Sequence, residues 1–400
     1  MVTAPKVPEE RLERNLNFFE IELPSWGFAD TGTRFGKYRD PSAAITLQEK
    51  LDDAAQVNLY TGCCPSVAVH VLWDFPNLAS VNDTLKSLKL SGVRIGSINP
   101  NVFQDQCYKF GSLANPDPSI RARALKHLTD SVNLAKLTNS RYISLWFADG
   151  SNYPGTAHFR QRRAWFVAGL QQVHECLDPE QRLLIEYKPF EPAFYHTDIA
   201  DWGMALLLAR DAGPQARVLI DTGHHYAGQN IEQVVAWLLS EKMLGGFHFN
   251  DRRYADDDLT LGSIDPYQAF RIFHEILLFE WETGSKAEIA FMVDQSHNLK
   301  IKTEAMIQTV VTAQELYAKA SLVNYEALLE YQRGGRLIDA EETLRQAFFT
   351  DVRPLLEEWR TSRGLPKDPL KAFRESGYLE KVIKERAGRH FGKDGEETYA

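Results

Sequence analysis

This chain is short of several features that would each point to a function class. None of its apolar runs approaches the roughly 20 residues needed to span a bilayer. Its first 14 residues are charged and proline-containing, without the apolar centre of a secretory signal. A soluble, cytoplasmic protein with no membrane partner is expected. Cysteine is scarce: Cys63, Cys64, Cys107 and Cys176 show no Cys-x-x-Cys spacing, and the adjacent pair cannot easily close a relaxed disulfide, so reduced thiols are expected. Positive charge is in deficit, with 45 Lys and Arg against 54 Asp and Glu and a net charge of −9, which argues against a nucleic-acid partner and for a small neutral or polar ligand. There is no Gly-x-Gly-x-x-Gly opening a helix, no Walker-type loop, no internal repeat and no low-complexity tract.

What the 400 residues do contain is enough apolar side chain, 44%, to bury a large core. β-prone runs at 18–23, 66–73, 93–99, 142–147, 182–189, 218–220, 245–251 and 288–294 alternate with helical patterns at 9–17, 45–57, 80–90, 119–137, 157–177, 199–212, 231–242 and 266–281. Eight strands interleaved with helices favour a closed (β/α)8 barrel of the α/β class, with a doubly wound open sheet as the alternative. The barrel with its N-terminal helix is assigned to 1–300 and an all-helical extension to 301–400. In the extension, one long helix is expected over 303–332, a break at Gly334-Gly335, and helices at 339–361 and 369–386. Leu355, Leu356, Trp359 and Phe373 there need cover, from the barrel or a neighbouring subunit. The loop at 26–38 is long for a simple connection and so is a candidate for a job of its own.

Barrel enzymes place their chemistry at the C-terminal ends of strands. Val218-Leu219-Ile220 feeds into Asp221-Thr222-Gly223-His224-His225, a buried strand delivering polar side chains at its end. Alone, the same residues would serve equally as an Asx-turn carrying surface histidines. The other strand ends decide the matter: Glu186 and Lys188 close strand five on one face, His248 sits on strand seven, and Asp294 ends strand eight. Glu186, Asp221, His248 and Asp294 thus make a three-carboxylate, one-imidazole set suited to Mn²⁺, with Co²⁺ or Mg²⁺ as alternatives. After strand seven, Asp256 and Asp258 point the same way and with His224 would form a second site near the first, whereas a solvated acidic loop is the plainer reading. His70 is either a core histidine or a substrate contact; Trp146 ends strand four, where sugars stack on such rings; His225 and His297 are read as support behind the site or as surface, since nothing forces them inward.

Glu186-Tyr187-Lys188-Pro189, Asp221-Thr222-Gly223-His224-His225, Phe247-His248-Phe249-Asn250-Asp251 with Asp256 and Asp258, and Asp294-Gln295-Ser296-His297-Asn298 together resemble the broad-specificity bacterial L-rhamnose isomerases, within the xylose-isomerase-like barrels, over about residues 10–400. The resemblance implies two divalent cations per subunit: one on Glu186, Asp221, His248 and Asp294, the other on His224, Asp256 and Asp258 with a bridging carboxylate. It implies that Lys188, His70 and Trp73 meet a monosaccharide, and that the loop with Arg34 and Phe35 reaches a neighbouring subunit's pocket in a homotetramer, a dimer being the smaller alternative. Aldose–ketose interconversion of L-rhamnose, and of sugars such as D-allose and D-allulose, is the expected reaction. Asp294 is the candidate base, with Lys188 and His70 beside it, and a direct hydride shift and an enediol route both stay open. A metal-dependent ketose 3-epimerase on the same barrel is the rival; it would call for two opposed acid/base carboxylates and no second metal.

Overall fold

The computed structural model describes residues 9–387 apart from 31, 34, 35, 38, 76–79, 91, 192–194, 255 and 298. Eight parallel strands follow one another around a barrel: β1 (Leu23–Pro24), β2 (Ser66–His70), β3 (Arg94–Asn99), β4 (Tyr142–Leu145), β5 (Arg182–Glu186), β6 (Ala216–Asp221), β7 (Leu244–Phe249) and β8 (Ala290–Val293). The ring closes just before β1, where the Glu22 N–H donates to the Phe291 carbonyl at 2.8 Å and the Val293 N–H to the Glu22 carbonyl at 2.9 Å. The doubly wound alternative is thereby excluded. Among the described residues, no helix is long and apolar enough to cross a membrane.

Strand parity sorts the side chains. On β5, Leu183 and Ile185 turn outward into the main core under the helices, while Leu184 faces in; on β6, Val218 and Ile220 face out and Leu219 in. Leu184, Leu219, Ala290 and Met292 meet as a separate buried plug inside the barrel. Two residues above the plug on the same parity are Glu186 and Asp221; two below are Arg182 and Arg217. One face of each strand therefore carries a carboxylate at its C-terminal end, an apolar middle and an arginine at its start.

Several boundaries differ from expectation. The first strand is shorter and later than 18–23. The second stops at His70 because Val71–Asp74 is one helical turn: the Phe75 N–H reaches the Val71 carbonyl at 2.9 Å, and Asp74 Oδ2 takes the His70 N–H at 2.9 Å. The helix expected over 303–332 is two, Lys302–Ser321 and Tyr325–Arg333, since Asn324 caps the second by accepting the Ala327 N–H. The 339–361 stretch divides into Leu337–Phe349 and Arg353–Ser362, with Pro354 suited to the first turn of the latter. The last stretch divides at Gly377, whose φ of 73° favours glycine, into Pro369–Glu375 and Tyr378–Arg386.

These C-terminal helices cover the barrel. Leu356, Trp359 and Phe373 are buried in the main core and Leu355 packs on it half-buried. Arg360 donates to Gln314 Oε1 at 2.7 Å, Trp359 Nε1 to Asn17 Oδ1 at 2.9 Å, and Arg386 grips Asp53 with two bonds of 2.9 Å. All four cysteines are free thiols.

Candidate active site

At the C-terminal rim, Glu186 ends β5, Asp221 ends β6, His248 is the penultimate residue of β7 and Asp294 directly follows β8. The parallel register sets Asp221 beside His248, and one ligand atom from each of the four residues lies within 4.8 Å of all the others. Glu186, Asp221 and His248 are buried and Asp294 is half-buried.

Crowding three carboxylates out of water is electrostatically costly, and their proton affinities show it. Burial drives Asp221 up to about 7, helped by the charges of Glu186 and Asp294 and opposed by His224 and His248. Burial also raises Asp294, against the pull of His248 and of Trp26. Glu186 goes the other way: burial would raise it, but His248 and His224 outweigh burial and hold it at about 2. Burial would lower His248, yet Glu186, Asp294 and Asp221 bring it up to about 9.

This donor set fits a divalent cation. Both His248 ring nitrogens are buried without a hydrogen-bond partner, and Nδ1 faces Glu186 at 3.3 Å and Asp294 at 3.5 Å. The candidate ligands are also oriented from behind, as metal ligands generally are. Asp221 Oδ1 accepts from the Gly223 N–H at 2.6 Å and from Asn250 Nδ2 at 3.0 Å, and Asn250 is itself tied to Thr222, whose hydroxyl donates to the Asn250 carbonyl at 2.8 Å. Trp26 Nε1 donates to Asp294 Oδ1 at 2.9 Å, which leaves Oδ2 on the side of His248. His225 is fully inside, kept neutral as burial lowers it to about 3, and its Nε2 shares a hydrogen bond with the Tyr187 hydroxyl at 2.6 Å.

His224, Asp256 and Asp258 lie beside this ring. His224 Nδ1 donates to the Tyr187 carbonyl at 3.0 Å and faces Glu186 at 3.2 Å, while Nε2 meets Asp256 at 2.9 Å. Burial opposes its charge, but Asp221 and Asp256 raise it well above the usual imidazole range. The second Asp256 oxygen takes the Lys188 ammonium at 2.6 Å, and Lys188 also bonds Glu191 at 2.9 Å. His224 and Lys188 hold the Asp256 carboxyl far below its usual range against burial. Burial, then the charges of Asp256, Asp294 and Asp221, push Asp258 well up. Among the described residues, only Glu186, Asp221, His248 and Asp294 form a group that could hold an ion.

A cavity of about 190 Å³ opens in front of the ring, below the ~300 Å³ at which drug-sized sites begin and so scaled to a small ligand. Its walls are aromatic: the His70 ring lies 4.7 Å from Trp26 and 3.9 Å from Trp73, and Phe103 lies 4.8 Å from Trp146. Burial lowers His70 to about 3, so its ring is neutral; with Asn101 Nδ2 donating to Nδ1 at 3.3 Å, the hydrogen sits on Nε2. Ser144 and Trp146 line the cavity, and their Oγ and Nε1 are buried without a partner. Lys188 does not line the cavity; it lies behind, its ammonium 5.2 Å from the centre of the Trp146 ring. Phe35, like Arg34, falls outside the described residues.

Trp26, Phe103, Ser144 and Asn250 were given no role in the sequence reading. Trp26 carried one signal, its place at the head of a loop too long for a connection. Ser144 carried another, two residues before Trp146 and so on the same strand face.

Residues 69–290 match the xylose isomerase-like TIM barrel family. The chain is 38% identical to a probable sugar isomerase of Rhizobium meliloti, over 92% of this chain and 86% of that protein. It is 36% identical to a probable sugar isomerase of Mesorhizobium japonicum, over 94% of this chain and 88% of the relative. Among solved structures, it is similar to a D-allulose 3-epimerase from Methylomonas with a TM-score of 0.52 and 15% identity, over 73% of this chain and 95% of the other, a likeness of fold alone.

Proposed function

The chain belongs to the xylose isomerase-like TIM barrels, and on that premise we propose that it is a metal-dependent aldose–ketose isomerase acting on L-rhamnose and on sugars such as D-allose. The observation that carries this reading is the ring of Glu186, Asp221, His248 and Asp294 opening on an aromatic-walled cavity of monosaccharide scale. The two probable sugar isomerases, matched over most of their length, support it. We further propose two divalent cations per subunit, Mn²⁺ first, with His224, Asp256 and Asp258 serving the second, and a cytoplasmic homotetramer, with a dimer as the alternative.

Isomerisation moves one hydrogen from C2 to C1 of the sugar and one proton from the C2 hydroxyl to the C1 oxygen. A divalent cation, when bound, supplies Lewis-acid stabilisation of the negative charge that builds on the sugar oxygens. The chain's own groups do the rest. Asp294, with Oδ1 engaged by Trp26, keeps Oδ2 to hold a proton in transit. His70, neutral with its hydrogen on Nε2, donates to a sugar oxygen without adding charge. Trp146 Nε1 donates to a sugar hydroxyl and Ser144 Oγ exchanges a hydrogen bond with another, since leaving such buried groups unpaired costs about 1–3 kcal/mol each. Trp26, Trp73 and Phe103 exclude water from the sugar's apolar face, and Lys188 fixes Asp256 through its 2.6 Å bond.

Product analysis separates this reading from its rival. Metal-loaded protein incubated with D-allulose should yield D-allose. Formation of the C3-epimeric ketose in its place would make the protein a 3-epimerase.

A further inference from the structure

The same strand parity that lifts carboxylates to the C-terminal rim sets arginines at the opposite mouth of the barrel, on the far side of the buried plug of Leu184, Leu219, Ala290 and Met292. From Arg182 to Glu186 is four residues, about 13 Å of strand, so the two ends are separate sites. A cavity of about 300 Å³ opens there, lined by Arg141, Arg182, Arg217, Lys242 and Lys286 with Glu288 as the one carboxylate. In an acidic chain, five cations around one carboxylate are a local inversion of charge.

These cations are not used up by the protein. Glu288 pairs with Arg141 at 3.1 Å and Lys286 with Glu280 at 3.3 Å. Arg182, Arg217 and Lys242 make no ion pair among the described residues. Arg182 Nη1 donates to the carbonyls of Pro179 at 2.8 Å and Gln181 at 2.9 Å, and Arg217 Nη1 to those of Pro214 at 2.8 Å and Ala216 at 2.7 Å. Each guanidinium is thus pinned by one edge, which preorganises the other. Arg141 Nε is buried without any partner. Lys242 has a left-handed φ of 56° at the end of the helix Ile231–Ser240, with the Met243 N–H closing on the Leu238 carbonyl at 2.8 Å. Glycine is the favoured residue at such a helix end; lysine there gives up backbone comfort and gains a charge at the cavity.

We propose that this mouth binds the phosphoryl group of a small metabolite. Arginine forks match the paired oxygens of a phosphoryl dianion, and several converging cations favour a divalent over a monovalent anion. Leu244 and Phe279, also in the wall, seat the less polar remainder of the ligand. The basic residues surround one concavity and form no stripe, which fits a small anion and not a nucleic-acid backbone.

The test is thermal-shift and calorimetric titration of the metal-loaded protein at constant ionic strength, with inorganic phosphate and glucose 6-phosphate as ligands and chloride and glucose as controls. Both phosphates should stabilise the protein saturably, and tighter binding of glucose 6-phosphate than of phosphate would identify an organic phosphate as the source. The pair Arg182→Gln with Arg217→Gln should weaken binding about tenfold or more while leaving metal affinity unchanged. Should that variant fold poorly, Lys242→Gly, which relieves the backbone, should raise stability yet bind phosphate more weakly. No saturable shift beyond chloride, or an undiminished shift in these variants, overturns the proposal.

Discussion

Replacing Trp26 with phenylalanine isolates one bond of the candidate metal ring. The indole Nε1 donates to Asp294 Oδ1 at 2.9 Å, and the Trp26 and His70 ring centres lie 4.7 Å apart, so Phe keeps an aromatic ring in the wall and removes the donor. A hydrogen bond to a charged acceptor contributes about 1.5–3 kcal/mol. Part of that is recovered by water or by a shift of Asp294, which is only half-buried. Losing such a supporting bond commonly costs 10–100-fold in metal affinity; with one carboxylate oxygen of one ligand affected, the lower end, about tenfold or 1.4 kcal/mol, is expected. Competition titration of Mn²⁺ against a fluorescent chelator measures it, with thermal melting of the metal-free protein reporting the part of the loss that does not depend on the ion. Wild-type affinity in Trp26→Phe would refute the idea that this bond holds Asp294 as a ligand.

Gly223→Ala should damage the same ring from the other side. A methyl there would meet Asn250 Oδ1 at 2.7 Å and Asp221 Oδ1 at 3.1 Å, displacing the amide that orients Asp221; a tenfold or greater loss of metal affinity, read in the same titration, is expected, and unchanged affinity would contradict it. Acid should loosen the contact between barrel and extension through His274, which is buried against Tyr325 with ring centres 5.7 Å apart and is lowered by burial to about 4. Its unfolded value is about 6.5, so the unfolded chain binds the proton first and stability falls as pH drops from about 6.5 to 4. By pH 4.5 the loss is about 2–3 kcal/mol. Urea titrations at pH 7.5 and 4.5 should show His274→Leu spared that loss; equal acid sensitivity in the variant would rule it out.

The barrel was legible because its signal is periodic. Strands of alternating parity between amphipathic helices need no distant information, and the rim residues Glu186, Asp221 and His248 follow from being last or nearly last in their strands. What escaped depends on contacts between segments far apart in the chain. Trp26 meets Asp294 across 268 positions, and Asn250 meets Asp221 across 29. His225, left by the sequence either as support behind the site or as surface, is the support: it is buried and bonded to Tyr187, because the turn at Gly223 sends His224 toward Glu186 and His225 behind it. Lys188, whose buried ammonium called for a carboxylate partner or a substrate oxygen, finds two carboxylates, Asp256 and Glu191. Helix breaks at Asn324 and Gly377 were visible as residue types, yet the apolar pattern ran through them and masked the caps.

The central claim is that Glu186, Asp221, His248 and Asp294 hold a cation on which sugar isomerisation depends. Chelator-stripped protein, assayed for conversion of L-rhamnose to its ketose before and after Mn²⁺ is restored, tests it directly beside Asp294→Asn and His248→Asn. No turnover is expected without metal, with recovery on addition in the wild type and none in either folded variant. Metal-independent turnover, or wild-type rates in either variant, would contradict it.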